Sequence, residues 1–176
     1  MVPSVNGEWF VSNTSFGPMV HARLGIAQEN SGKLVSLVRK EAVAVADLEE
    51  RDMIIADGSP GIGCPVIASI AGARMALVVT EPTLSGLHDM KRVAQLTRYF
   101  KTRTAVCINK SDINPEMADQ LEREALALEI PVLCRIPYDP AVTRAQVQGK
   151  TVVEIGDSPA AKEIRTLWKQ VQEELV

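Results

Sequence analysis

Short apolar runs alternate with amphipathic stretches along this chain, and the spacing predicts strands and helices in turn. Residues 52–57 (DMIIAD), 75–79 (MALVV), 104–108 (TAVCI) and 131–136 (PVLCRI) are nearly continuous apolar runs. That is the pattern of strands covered on both faces, as in parallel sheets. Leu84, Leu87, Val93, Leu96 and Phe100 line one side of a helix predicted over 84–100. Residues 115–128 form an acidic amphipathic helix starting at Pro115, where a missing N–H costs least. A glycine-rich turn, Gly58-Ser59-Pro60-Gly61-Ile62-Gly63, leads into a short apolar helix through Ile70. Upstream, Leu34, Val35, Val38, Ala42 and Val45 predict a helix over 33–46, with Asn30 or Ser31 as its N-cap. Residues 7–16 and 19–26 read as two extended pieces joined near Gly17-Pro18. The chain closes with a polar stretch and a helix over 159–175.

Strand and helix alternating at this spacing predict an α/β fold, a parallel sheet with helices on both faces. The expected strand ends are Asp57, Thr80, Asn109 and Ile136, aligned along one edge. No internal repeat, low-complexity tract or long linker interrupts the pattern, so residues 1–176 read as a single α/β domain.

Composition narrows the functional classes. The 176 residues carry Lys+Arg 19 against Asp+Glu 22, a formal net charge of −3, which argues against broad electrostatic binding to nucleic acid. At 4% aromatic residues, base-stacking platforms are not the theme. No apolar run approaches the roughly 20 residues of a membrane span. The cysteines, Cys64, Cys107 and Cys134, are widely spaced and form no CxxC pair, which suits a reducing cytoplasm. Cys107 and Cys134 fall within apolar strands and are expected in the core, and Cys64 reads as an ordinary partly buried thiol.

In an open α/β sheet, ligands bind beyond the carboxyl ends of the strands, and the polar residues here gather at those ends. Asp57 closes an apolar strand and precedes a glycine-rich turn, an arrangement suited to holding Mg²⁺ through a bound water. It equally suits an aspartate that caps the turn. The glycines would let backbone N–H groups approach a phosphate. Asn109-Lys110-Ser111-Asp112 offers an amide, an aliphatic stem and a carboxylate that together can read a base edge, or form an Asx turn. Asp112 is expected to cap the turn into the helix that begins at Pro115. His88 and Asp89, placed in the first turn of a helix, are adjacent and expected to point apart. Glu122, Glu124 and Glu129 read as a solvated face. A phosphate-binding loop needs Gly-x-x-x-x-Gly-Lys-Ser/Thr. At Gly32-Lys33 the leading position is Ala27 and the following one Leu34, so the motif is not met.

Taken together, these segments resemble the MinD/ParA-like, nitrogenase-iron-protein-like P-loop ATPases, of the CobQ/CobB/MinD/ParA type. The resemblance runs through Gly17-Pro18-Met19-Val20, Glu29-Asn30-Ser31-Gly32-Lys33, residues 57–65, Thr80-Glu81-Pro82-Thr83, Asn109-Lys110-Ser111-Asp112, Pro137-Tyr138-Asp139 and Thr151-Val152-Val153-Glu154. It is nearest to members with an inserted ferredoxin domain, and it implies that this chain is the C-terminal part after that insert. The P-loop strand and helix and the cluster-binding cysteines would then precede it. By resemblance, Asp57 is the Mg²⁺-holding aspartate and Gly61 belongs to the segment that senses the γ-phosphate. Asn109 and the Pro137-Tyr138-Asp139 loop take the adenine side, and the Lys110 stem, read from its own chemistry, would lie over the purine ring. The resemblance also implies ATP and Mg²⁺ as cofactors, a homodimer, an iron–sulfur or electron-transfer partner, and an iron–sulfur cluster only in the inserted domain. The isolated chain would be inactive. A non-catalytic docking scaffold is an alternative, as is a GTPase reading guanine with Asp112.

Overall fold

The computed structural model describes residues 7–24 and 31–175. These form two compact units, up to Ala71 and from Gly72 onward.

In the first unit, β1 (Gly7–Thr14) and β2 (Gly17–Leu24) pair as an antiparallel hairpin. The turn is Ser15-Phe16, two residues earlier than the expected Gly17-Pro18, and Pro18 pairs with Asn13 inside the ladder. The Thr14 hydroxyl fixes that turn, donating to Gly17 O at 2.7 Å and accepting from Phe16 N at 3.1 Å. Helix α1 (Ser31–Leu48) packs on β2 and on α2 (Cys64–Ile70). Arg39 of α1 donates to the carbonyls of Ala68 and Ala71 at 2.6 and 2.5 Å, satisfying acceptors at the end of α2 that the helix leaves without partners. The candidate cap Asn30 and the end of the second extended piece, at Ile26, lie outside the described residues.

Residues 52–57, expected as a buried strand, are not one. Their backbone is irregular, and Met53, Ile54 and Ile55 are 41%, 45% and 76% exposed. An apolar run becomes a strand only by pairing, and no described strand is hydrogen-bonded to it.

In the second unit, β3 (Met75–Thr80), β4 (Arg103–Asn109) and β5 (Val132–Ile136) form a parallel sheet in the order β3-β4-β5. Thr80 lies beside Ile108 and Asn109 beside Ile136, so the three carboxyl ends share one edge as expected. Val106 and Ile108 of β4 meet Leu87, Met90 and Ala94 of α3 (Leu84–Tyr99). On the same face they meet Ala118, Leu121 and Ala125 of α4 (Pro115–Ala127). Met90, Ile108 and Leu121 are among the largest fully enclosed side chains, each contributing roughly 1.5–3 kcal/mol by burial. The opposite face carries Cys107, Cys134 and Ile136 against Ala160, Ile164 and Leu167 of α6 (Pro159–Leu175). Helices therefore cover both faces.

A helix that the periodicity does not announce, α5 (Pro140–Val147), stands where a polar stretch was expected. Its signal was present in Asp139 as N-cap followed by Pro140. It buries Ala141 and Ala145 against Val152 and Ala161, small residues that leave little hydrophobic periodicity to read. The side chains of Glu122, Glu124 and Glu129, read as a solvated face, stay at least a third exposed and are also paired. Arg135 of β5 bridges Asp119 and Glu122, Lys91 of α3 pairs with Glu124 at 2.8 Å, and Arg98 approaches Glu129 at 3.9 Å.

Candidate functional site

Three loops leave the carboxyl edge of the sheet, and each is shaped by its own sequence. At the end of β3, Thr80 is buried and Glu81 turns outward. Thr83 caps α3, its hydroxyl accepting from Gly86 N at 3.0 Å. A Cβ on Gly86 would clash with the Glu81 carbonyl and lie 2.7 Å from Thr80 Oγ1. Only glycine lets this turn pass so close to the strand end.

At the end of β4, Asn109 is half-buried on the last rung of the ladder, paired with Ile136. Lys110 follows in the left-handed region at φ 53°, uncommon for a residue with a Cβ. That kink brings its Nζ within 2.7 Å of Glu81 Oε1, an ion pair bridging the β3 and β4 loops. Ser111 N donates to Ile136 O at 3.0 Å, carrying the β4–β5 pairing one step past the strand. Asp112 does not cap α4. That role belongs to Asn114, whose Oδ1 accepts from Met117 N at 3.1 Å. Asp112 Oδ1 instead accepts from Tyr138 N at 2.6 Å. The Asn109-Lys110-Ser111-Asp112 and Pro137-Tyr138-Asp139 loops are thereby held side by side.

At the end of β5, Pro137 is half-buried and Tyr138 is 52% exposed. The Asp139 carboxylate serves two helices, accepting from Ala141 N in α5 at 2.8 Å and from Ala160 N in α6 at 3.2 Å. A hydrogen bond from the Ser158 hydroxyl, then those backbone donors, hold its carboxyl below the ordinary range. Asp139 thus anchors the loop, with its acceptor positions taken up by the fold.

Asp57 and Gly61 belong to the first unit. Asp57 is exposed on irregular backbone, not at a strand end. Gly61 has φ 87°, a conformation glycine adopts freely and other residues avoid. Cys64 is exposed, where a partly buried thiol was expected. His88 and Asp89 lie in the second turn of α3, not the first, and His88 Nδ1 approaches Asp89 Oδ1 to 3.6 Å, a contact not expected of neighbours on a helix. Both side chains are more than half exposed, free to swing toward one another outside the helix surface. The sequence reading missed Glu81 as the partner of Lys110 and Asp112 as the tether of Tyr138, both contacts between strand-end loops.

Exposed carboxylate oxygen at Asp57 suits a hard cation such as Mg²⁺. No group of three or more His, Cys, Asp or Glu among the described residues could hold a metal ion, so these residues do not fit an iron–sulfur cluster. No helix among them is long and apolar enough to cross a membrane.

No family model matches the sequence. An uncharacterized protein of Methanocaldococcus jannaschii is 23% identical over 89% of this chain and 51% of its own length. An uncharacterized ATP-binding protein of the same organism is 30% identical over 69% of this chain and 46% of its own. The chain thus spans about half the length of these two relatives. Among solved structures, a chain of the MinC:MinD cell division protein complex of Aquifex aeolicus superposes with TM-score 0.68 at 20% identity, covering 93% of this chain and 66% of that one. The septum site-determining protein MinD of Pyrococcus horikoshii, solved with Mg-ADP, gives 0.63 at 21% identity over 80% of this chain and 56% of that one. The chain has an α/β fold similar to that of the MinD P-loop ATPases.

Proposed function

We propose that this chain supplies the base-binding and Mg²⁺-holding side of an ATP site in a MinD/ParA-like ATPase, and is the C-terminal part of that nucleotide-binding domain. The observation that carries this reading is the pair of loops after β4 and β5, tied at 2.6 Å through Asp112 and Tyr138. Asn109 sits at their junction on a buried strand, where its amide can both donate to and accept from a purine edge. Lys110 and the Pro137-Tyr138 backbone flank the ring, and Asp139 holds their loop in place. One Asp112 oxygen is already bound to a main-chain N–H, which leaves it poorly placed for the bidentate contact that guanine selection uses. Adenine is favoured on that ground, and the ATP-binding relative and the Mg-ADP-bound MinD structure support the same ligand.

Asp57 would hold Mg²⁺ through a water and Gly61 would follow the γ-phosphate. The metal would supply charge neutralisation on the phosphates, and the chain's own part is to offer a hard oxygen and a glycine backbone at positive φ. Among the described residues no strand pairs with the outer edge of β3, which supports a further strand beside it. So do Leu77 and Val79, which are 37% and 59% exposed on the face that α6 covers at β5. The MinC:MinD complex supports an assembly with a protein partner. An iron–sulfur or electron-transfer partner, a homodimer and a cytoplasmic setting complete the proposal, with any cluster carried by a separate inserted domain.

Isothermal titration with ATP and with GTP tests the reading. A polypeptide that also contains a phosphate-binding loop should bind ATP in preference to GTP and lose Mg²⁺-dependent turnover in Asp57→Asn. This chain alone should hydrolyse ATP negligibly. GTP preference, or robust turnover by this chain that Asp57→Asn abolishes, would overturn it.

A further inference from the structure

Cys107 and Cys134 occupy paired positions on the adjacent strands β4 and β5, and their sulfurs are 3.4 Å apart. Parallel strands run about 4.7–4.9 Å apart, within the roughly 4.4–6.8 Å Cα separation that a disulfide spans. Both side chains point to the α6 face, enclosed by Ile136 and Ala160, with Val142, Ile164 and Leu167 around them. Cys107 has no exposure at all and Cys134 retains 8%. The third cysteine, Cys64, is exposed in the other unit.

We propose that Cys107 and Cys134 form an oxidisable dithiol, a modification site that hydrogen peroxide converts to an intramolecular disulfide across β4 and β5. The geometry supplies what the reaction needs: two thiols in contact, fixed by strand register and shielded from other thiols. The sulfurs must close from 3.4 Å to about 2.05 Å, a shift within reach of side-chain rotation. The two cysteines differ in reactivity. The sulfur–sulfur hydrogen bond, then burial, raises Cys107 above its ordinary range, and the same bond lowers Cys134 although burial and Glu163 oppose it. The thiolate is the reactive form, so Cys134, which is also the one with residual exposure, reacts first.

The Cys134 thiolate attacks one peroxide oxygen. The O–O bond breaks, Cys134 becomes a sulfenic acid, and the departing hydroxide takes up a proton to leave as water. The Cys107 sulfur then attacks the sulfenic sulfur. The S–S bond forms as the S–O bond breaks, and the leaving hydroxide takes the Cys107 proton as a second water. Two thiols lose two electrons and the peroxide gains them. The site lies two residues before Asn109 and two before Ile136, under the loops described above, and the inference stands independently of what those loops bind.

The test uses the Cys64→Ser chain treated with hydrogen peroxide while folded, then quenched, denatured and alkylated. The expected result is loss of both alkylatable thiols, a mass lower by two hydrogens, and a Cys107–Cys134 peptide in the non-reduced digest. The dimedone-trapped sulfenic acid should appear at Cys134 in Cys107→Ala. Two alkylatable thiols remaining under peroxide that oxidises Cys64 in the parent chain, or a disulfide formed only between chains, would overturn the proposal.

Discussion

The Asp112 carboxylate accepts a hydrogen bond from the Tyr138 backbone N–H at 2.6 Å, joining residues 26 apart in sequence at the carboxyl edge of the sheet. Two loops that each follow a strand are thereby made into one surface. The bond gives Asp112 a positioning role that neither a helix cap nor a base-reading carboxylate would have. Lys110 repeats the logic on the other side, through its ion pair with Glu81 at 2.7 Å.

Asp112→Ala should therefore loosen the Pro137-Tyr138 loop more than it unfolds the protein. The bond is exposed, so its loss should cost only about 0.5–1 kcal/mol of global stability. Hydrogen exchange at the Tyr138 amide should accelerate at least tenfold while β4 amides stay protected. Unchanged Tyr138 exchange would show that the tether is not what holds the loop.

Asn109→Ala should weaken ATP binding by roughly 1–3 kcal/mol in a polypeptide that carries the phosphate-binding segment, because a partly buried hydrogen-bonding group is lost. Its melting temperature should barely move. Equal ATP affinity in the two proteins, measured by titration calorimetry, would remove Asn109 from the base site.

Gly86→Ala adds a methyl group where the Glu81 carbonyl and Thr80 Oγ1 already stand. The turn must open or α3 must shift, at a cost of roughly 1–3 kcal/mol or more. Chemical denaturation should show a lower midpoint with an unchanged slope. A stability equal to the parent's would mean the β3–α3 turn is looser than its contacts indicate.

Asp139→Asn tests the double cap through pH. The folded carboxyl titrates below its unfolded value, so its contribution is fully present above about pH 3.9 and is lost as pH falls through the lower folded value. The variant should melt below the parent at pH 7, and the gap should narrow toward pH 3. A gap that stays constant across that range would mean the carboxylate charge is not what ties α5 to α6.

The local pattern of this chain determined much of its second unit. Continuous apolar runs placed β3, β4 and β5, and helical spacing placed α3 and α4, although the buried face of α3 runs through Leu87, Met90, Ala94 and Thr97 while Leu84, expected on that side, is 75% exposed. The α6 bounds came out at 159–175 as expected. Parallel pairing followed from the helical crossovers, and with it the single edge where Thr80, Asn109 and Ile136 end. These features depend on which face of an element is apolar, and that is written residue by residue. The tertiary structure decided the rest. Residues 52–57 carry a strand's composition yet form no strand, since hydrogen bonds to a neighbouring strand, not composition, make one. Asp112, Asp139, Glu81 and the Cys107–Cys134 pair took roles set by partners 26, 21, 29 and 27 residues away. Such contacts depend on strand register and on how each loop leaves the sheet, which hydrophobic periodicity does not record.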